Sequence, residues 1–274
     1  MKKILGAIAA LAMTVGLAAC GTPVSQGTAN QNQLVVGMEA GYPPFNWTQN
    51  DDSNGAVKIQ GTDQYAGGYD VEIAKRVAKQ LGKELVIVKT EWDGLTPALV
   101  SGKIDAIIAG MSPTEERKAT IDFTDSYYDS QLVLVVKKGS KYANATSLAD
   151  FSGAKVTAQL NTFHYSVIDQ IPGVDKQAAM DNFPAMRVAL QAGTIDAYVS
   201  ELPEAISAQA ANSDFVMVKL TDGFKASPED TQTAVGVKKD SPLTKEINEA
   251  LKTISSEERQ KIMEEAIKNQ PAAE

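Results

Sequence analysis

The chain has 274 residues, of which 43% are hydrophobic, so it is long enough for two ordinary domains with folded cores. Its formal net charge of -8 argues against binding to nucleic acid, and its single cysteine excludes an internal disulfide and a cysteine metal cluster. Its single histidine excludes a metal site with two or more histidine ligands.

The N-terminal segment predicts secretion and anchoring. Two lysines precede an apolar run over residues 4–17, which is too short for an ordinary transmembrane helix but typical of a secretory signal. The run ends in LAAC, the cleavage pattern of lipoproteins, so we expect a signal peptide over 1–19 and a lipidated, palmitate-bearing Cys20. Residues 20–33 predict a flexible tether. We therefore expect a lipid anchor alone to hold the protein at the extracytoplasmic face of the cell membrane, and Gly21 favours a Gram-positive cell.

The next segment predicts an α/β sheet. Strands over 34–38 and 84–89 flank a helix that we expect Asp70 to cap and Gly82 to end. The polar stretch over 48–66 between them predicts a surface excursion or a short hairpin. A second helix and a third strand follow, and this βαβαβ order predicts a right-handed parallel sheet.

Two stretches of the chain are similar to each other. ALVSGKIDAIIAG at 98–110 and ALQAGTIDAYVSE at 189–201 share six of thirteen positions, and each reads as a helix end, a glycine and a buried strand. They predict two similar α/β lobes. Because ligands bind beyond the carboxyl ends of strands in open α/β sheets, the loops at 110–117 and 201–204 should face one shared cleft.

The chain is predicted to cross between the lobes twice. Residues 129–136 become apolar and predict an extended first crossing. Residues 233–239 predict a strand that returns to the first lobe, followed by two C-terminal helices over 242–254 and 257–268. We therefore assign 34–130 with 231–270 to lobe 1 and 131–230 to lobe 2. Bending is expected near residues 130 and 231.

The predicted cleft carries groups for a zwitterion. The loop after the first repeat offers the Ser112 hydroxyl and the Arg117 guanidinium, which suits a carboxylate, while Glu201 after the second repeat can accept from an ammonium group. Tyr42 and Trp92 lie on loops after strands and could hold a cation between their rings. His164 is expected at the exposed start of a helix, where it would serve no catalytic triad.

These residues resemble a family, the extracytoplasmic solute-binding proteins of polar amino acid ABC transporters, in the group that binds lysine, arginine, ornithine, histidine or glutamine. The resemblance covers nearly the whole mature chain and is carried by VGMEAGYPPFNW, by GGYDVEIAKRVAKQLG, by the segment from EWDGL to TDSYY and by IDAYVSELP. It implies an α/β, two-lobed periplasmic-binding-protein-like fold (type II), each lobe a mostly parallel sheet flanked by helices, with two hinge strands.

The resemblance also implies roles for residues. The ligand carboxylate would meet Arg117, Ser112 and the loop Asn161, Thr162 and Phe163. The α-ammonium would meet Glu201, the Gly110 carbonyl and the Ser112 hydroxyl. The side chain would lie between Tyr42 and Trp92 and reach Glu39.

A carboxylate flanked by two aromatic rings favours a cationic side chain, so the expected ligand is L-arginine, lysine or histidine. Glutamine is the alternative within the same transporter class, and a fold-related dehydratase-type enzyme or a signalling or adhesive surface protein are alternatives outside it. The first reading implies no catalysis and no cofactor. It implies a monomer that delivers a free amino acid to an ABC permease with ATPase subunits.

Overall fold

The computed structural model describes residues 32–271, which form two five-stranded sheets with helices packed against them and one small four-stranded sheet. The predicted signal peptide, Cys20 and most of the predicted tether lie outside the described residues. The strands are β1 Gln33–Met38, β2 Gly41–Tyr42, β3 Asn46–Gln49, β4 Val57–Lys58, β5 Tyr65–Gly67, β6 Glu84–Lys89, β7 Ala106–Ile107, β8 Asp122–Asp129, β9 Leu132–Lys137, β10 Lys155–Thr157, β11 Asp175–Lys176, β12 Ala197–Glu201, β13 Phe215–Val218 and β14 Gln232–Val237. The helices are α1 Tyr69–Gln80, α2 Leu95–Ser101, α3 Glu115–Lys118, α4 Phe163–Val167, α5 Phe183–Ala192, α6 Leu202–Ala211, α7 Pro228–Thr231, α8 Leu243–Lys252 and α9 Ser256–Asn269.

The first sheet has the strand order β6-β1-β7-β14-β8. Strand β1 runs parallel to β6 and β7, which confirms the predicted βαβαβ unit. Strand β14 runs antiparallel to β7 and β8. The excursion between β1 and α1 forms the small sheet of β2, β3, β5 and β4, so a hairpin in this stretch was correctly expected.

The second sheet repeats this arrangement, with the order β11-β10-β12-β9-β13. Strand β10 runs parallel to β11 and β12, and β9 runs antiparallel to β12 and β13. The repeat strands β7 and β12 both occupy the centre of their sheets, each after a helix that ends at a left-handed glycine, Gly102 or Gly193. The internal similarity therefore marks equivalent positions in two similar sheets.

Both sheets are mixed, whereas the sequence predicted mostly parallel ones. Each has two parallel and two antiparallel strand pairs. The antiparallel neighbours arise where the chain passes between the sheets, because β8 continues almost directly into β9 and β14 returns beside β8. At this crossing the Ser130 N–H donates to the Thr231 carbonyl at 3.0 Å, and Asp129 pairs with Gln232. The two connections thus lie side by side where bending was predicted.

Asp70 does not cap α1 as predicted. Gly68 occupies the N-cap, and Asp70 is the second residue of the helix, with no exposed surface. Its carboxylate accepts instead from the Asn46 amide and the Tyr127 hydroxyl, each at 2.7 Å. Burial raises the pKa of Asp70 to about 7. The side chain therefore joins α1 to β3 and β8.

Candidate functional site

A cavity lies where loops from both sheets meet. It measures about 20 Å³, close to the space of one water molecule, and we call it the cleft cavity. Strands β6, β7, β10 and β12 all end near it, as expected for the carboxyl ends of an α/β sheet. The residues that line it are Tyr42, Trp92, Gly110, Ser112, Arg117, Gln159, Thr162, Phe163, His164, Glu201 and Asp230.

Eight of the ten predicted ligand-binding residues line this cavity, and two do not. Asn161 lines a larger hollow of about 560 Å³, which shares five lining residues with the cleft cavity: Trp92, Arg117, Thr162, Phe163 and Asp230. Glu39 lines a separate groove of about 470 Å³. Gln159 and His164, which were not predicted to be site residues, belong to the cleft cavity. The sequence therefore located the cleft but not all of its walls.

Arg117 is held by backbone groups. It lies in α3, where the Thr114 hydroxyl caps the helix by accepting from the Arg117 N–H at 3.4 Å. Its guanidinium donates to the carbonyls of Ser112 at 2.9 Å and Asn161 at 3.0 Å, and lies 5.0 Å from the centre of the Trp92 ring. Removal from water lowers the pKa of Arg117 to about 10, against the charges of Glu116 and Glu201. Within residues 32–271 no carboxylate lies within ion-pair distance of this cation.

Glu201 ends β12 and is 1% exposed. One of its oxygens lies 3.1 Å from His164 Nε2, and the other has no hydrogen-bond partner among the described residues. His164 is 8% exposed, so its predicted exposure is wrong. It is buried because α4 packs against β12 and turns the ring toward the end of that strand.

Gly110 is fixed by a chain of hydrogen bonds. Its N–H donates to the Tyr127 hydroxyl at 3.1 Å, and Tyr127 donates to Asp70 at 2.7 Å. The backbone φ is +62°, and a Cβ here would lie 2.7 Å from the Tyr42 ring. Both the conformation and the space therefore require glycine at the turn that follows β7.

Ser112 lies two residues after Gly110 and joins the loop after β7 to α7, just before the second crossing of the chain. It is 7% exposed, and its hydroxyl donates to the Asp230 carbonyl at 3.1 Å. The Ser112 carbonyl accepts a hydrogen bond from the Arg117 guanidinium. The hydroxyl oxygen keeps accepting capacity for a ligand.

Glu39 lies behind Gln159, which faces the cleft cavity. The Gln159 amide donates to both Glu39 oxygens, at 3.2 and 3.1 Å, and to the Asp181 carbonyl at 3.0 Å. Glu39 is 5% exposed, and burial raises its pKa to about 7 although the Gln159 bond opposes this shift. The Gln159 amide thus lies between the Glu39 carboxyl group and the cleft cavity.

The two predicted aromatic residues have different surroundings. Phe45 and Phe183 stack on Tyr42, with ring centres at 4.9 and 4.4 Å. The Tyr42 hydroxyl is buried with no hydrogen-bond partner in the described part of the chain, and burial together with Glu201 raises the pKa of Tyr42 well above the usual value. Trp92 is partly exposed and carries the Arg117 cation on its ring. In this conformation both rings contact protein groups.

The loop at 161–163 bridges the cleft. Asn161 has a left-handed backbone, with φ at 54°, and its amide donates to Asp93 at 2.9 Å. The Thr162 hydroxyl donates to the Gln159 carbonyl at 2.7 Å, and Phe163 begins α4. This loop follows β10 of the second sheet, whereas Asp93 and Arg117 follow strands of the first, so these bonds join the two halves of the cleft.

Known proteins match both the sequence and the fold. Residues 34–269 match the family described as bacterial extracellular solute-binding proteins, family 3. The chain belongs to this family. Two relatives are the arginine-binding extracellular protein ArtP of Bacillus subtilis, 30% identical over 92% of each chain, and a probable histidine-binding protein of Campylobacter jejuni, 32% identical over 81% of this chain and 83% of the relative.

A solved structure extends the likeness to the whole fold of this solute-binding protein. An amino acid ABC transporter substrate-binding protein from Streptococcus pneumoniae, bound to L-arginine, matches with a TM-score of 0.77 and 27% identity over 87% of this chain and 95% of that one. The predicted two-lobed α/β fold is confirmed. Within residues 32–271 no helix has the length and apolar character needed to span a membrane.

Proposed function

We propose that this solute-binding protein captures a polar, cationic L-amino acid between its two lobes and delivers it to the permease of an ABC importer. The observation that carries the proposal is a pair of opposite charges at one cavity. Arg117 has no carboxylate partner among the described residues, and buried Glu201 has one oxygen without a partner. A cation and an anion that are both incompletely paired complement the two charged ends of an amino acid.

Glu39, Gln159 and Trp92 favour a cationic ligand side chain. Glu39 places a carboxyl group directly behind the Gln159 amide, and Trp92 already holds a guanidinium on its ring. The arginine- and histidine-binding names of the two relatives agree with this preference. One observation favours glutamine as the second candidate, since the Gln159 amide at the cavity wall could pair with a ligand amide.

The proposed cycle requires movement of the lobes. A cavity of about 20 Å³ cannot contain an amino acid, so the ligand must enter when the lobes are apart. The proposed lobes are 34–130 with 231–270 and 131–230, and bending would occur where Ser130 and Thr231 meet. Closure would then be favoured by the contacts that both lobes make with the same ligand.

We further propose a lipid anchor at Cys20, a monomeric protein on the extracytoplasmic face of the membrane, and no catalysis at the cleft. The lipoprotein motif supports the anchor, and the match to a family of extracellular proteins supports the location. Unchanged arogenate and prephenate after incubation with the protein would support the third. Release of a product from either would favour the dehydratase alternative.

A thermal-shift screen of all protein amino acids tests the proposed function. At 100 times its dissociation constant, a ligand should stabilise the protein by about 2.7 kcal/mol. We expect shifts with arginine, lysine or histidine, and none with aspartate or glutamate. Absence of a shift with every amino acid would contradict the proposal.

Replacement of Arg117 tests the carboxylate site. Arg117→Met should weaken every bound amino acid by about 2 to 5 kcal/mol, because the ligand carboxylate would be buried without its partner. The neighbouring cation provides the control: Lys118 is paired with Glu115 at 2.9 Å, outside the cavity, and Lys118→Met should change the affinity little. Equal effects of the two substitutions in calorimetric titrations would show that Arg117 is not the carboxylate site.

Replacement of Glu39 tests the side-chain preference. Glu39→Gln should weaken a basic amino acid far more than glutamine, because only the basic ligand loses a counter-charge. Titration of the unchanged protein and of this variant with L-arginine and L-glutamine at pH 8, above the pKa of about 7 so that Glu39 is mostly ionised, gives the comparison directly. An equal loss for both ligands would rule out Glu39 as the determinant of a cationic side chain.

A further inference from the structure

Three buried polar atoms that have no hydrogen-bond partner among residues 32–271 belong to residues of the cleft cavity. They are the Tyr42 hydroxyl oxygen, His164 Nδ1 and one oxygen of Glu201. A buried polar atom that makes no hydrogen bond is unfavourable, and native proteins satisfy most of them. Their concentration at one small cavity indicates that this part of the site is shaped to contact a polar ligand group.

His164 and Glu201 form a buried pair. The His164 side chain is 10% exposed and that of Glu201 is 1% exposed, and Nε2 lies 3.1 Å from the carboxylate. A neutral ring must carry its proton on Nε2 to donate to Glu201, which leaves Nδ1 as an acceptor. A protonated ring adds a positive charge and a second N–H donor, for which the described residues provide no acceptor.

Within residues 32–271, the other charged groups around the cleft cavity do not balance a positive charge on His164. The titratable residues that share the cavity with His164 are Tyr42 from β2, Arg117 from α3, Glu201 from β12 and Asp230 from α7. The Asp230 carboxylate accepts from the Ser227 N–H and hydroxyl at the start of α7. The next acid beyond Glu201, Glu204, is bound by Arg187 at 2.7 Å. A protonated His164 and a ligand ammonium group would therefore share one carboxylate, that of Glu201.

We propose that His164 is a specificity-determining part of the ammonium site and couples ligand binding to its own deprotonation. Neutral His164 holds one Glu201 oxygen and leaves the other for the ligand ammonium. Protonated His164 competes with the ammonium for Glu201 and repels it. Binding then expels a proton from His164, and the affinity falls in acid by up to tenfold per pH unit, the limit for one proton released per ligand. This inference rests on the proposed function.

The single histidine allows a direct test. The titration of the His164 Cε1–H is followed by NMR in the intact protein, free and saturated with L-arginine, without a histidine tag. We expect the ligand to lower the midpoint by at least one pH unit. An unchanged or raised midpoint would overturn the inference. Binding of an amino acid without a lowered midpoint would overturn the inference alone. If no amino acid binds even at pH 8, the proposed function fails and the inference fails with it.

A variant gives a second readout. His164→Gln keeps an N–H donor for Glu201 but does not titrate. Two proteins are compared, one with His164 and one with His164→Gln, and both also carry Glu39→Gln. Burial raises the pKa of Glu39 to about 7, so this group is removed from both, and L-glutamine serves as the ligand because it does not need the Glu39 charge. Between pH 8 and 5.5 the affinity should fall at least tenfold with His164 present and less than threefold without it. Equal falls in the two proteins would contradict the coupling.

Discussion

At the scale of single residues, two residues of the cleft cavity, Gln159 and Gly110, are hydrogen-bonded, directly or through Tyr127, to acids whose charge is costly to bury. Glu39 and Asp70 are both acids with raised pKa values, and each is held by neutral donors rather than by a cation. Their burial favours the protonated form, so the folded protein binds these protons more tightly than the unfolded chain. The stability of the protein should consequently depend on pH in the acid range.

Glu39 gives a specific form of that prediction. Its pKa rises from 4.5 to about 7 on folding, so the free energy of unfolding should fall as the pH rises from about 4.5 to 7, by about 3 kcal/mol for this group. Glu39→Gln should remove this part of the fall. Urea unfolding without amino acids at pH 4.5 and 7 measures it, and the same fall in both proteins would show that Glu39 does not contribute.

The sequence predicted isolated residues less well than elements. Arg117, Ser112 and Glu201 could be assigned because each follows a predicted strand. His164 and Gln159 could not, because their burial depends on how α4 lies across β12 and on Glu39, which is 120 positions away from Gln159. A histidine immediately after the predicted 161–163 loop was the available signal. Asp70 was misassigned because its partners lie on β3 and β8, outside the local pattern.

At the scale of elements, the two repeats form equivalent helix-strand units. Leu99 in α2 and Leu190 in α5 occupy the same repeat position, and both are fully buried. Helix ends and buried strands were predictable here because glycine stops and apolar runs are local signals. The antiparallel strand pairs were not, because they arise from long-range returns of the chain.

Truncation of either repeat leucine tests this equivalence. Leu99→Ala and Leu190→Ala should each lower the free energy of unfolding by about 2 to 5 kcal/mol, because each leaves a cavity in a packed core. Val188→Ala is the control, since Val188 is 70% exposed, and should change stability by less than about 0.5 kcal/mol. Urea unfolding provides the comparison. A leucine variant that resembles the control would contradict the assigned core position.

At the scale of the whole molecule, the cleft connects two similar sheets through complementary groups. Arg117 follows a strand of the first sheet and Glu201 ends a strand of the second, so a zwitterion bound as proposed would contact both halves at once. The bonds from Asn161 to Arg117 and Asp93 now join the halves without a ligand between them. An amino acid carboxylate at Arg117 would replace the Asn161 carbonyl with a charged partner, which is the stronger hydrogen-bond acceptor.

The most direct measurement is a calorimetric comparison of L-arginine with agmatine, which lacks the carboxylate, and 5-guanidinopentanoic acid, which lacks the α-ammonium. If Arg117 and Glu201 bind the two ends of one zwitterion, each analogue should lose about 2 to 5 kcal/mol, so L-arginine should bind at least about 30-fold more tightly than either. Binding of agmatine or 5-guanidinopentanoic acid within threefold of L-arginine would contradict the account.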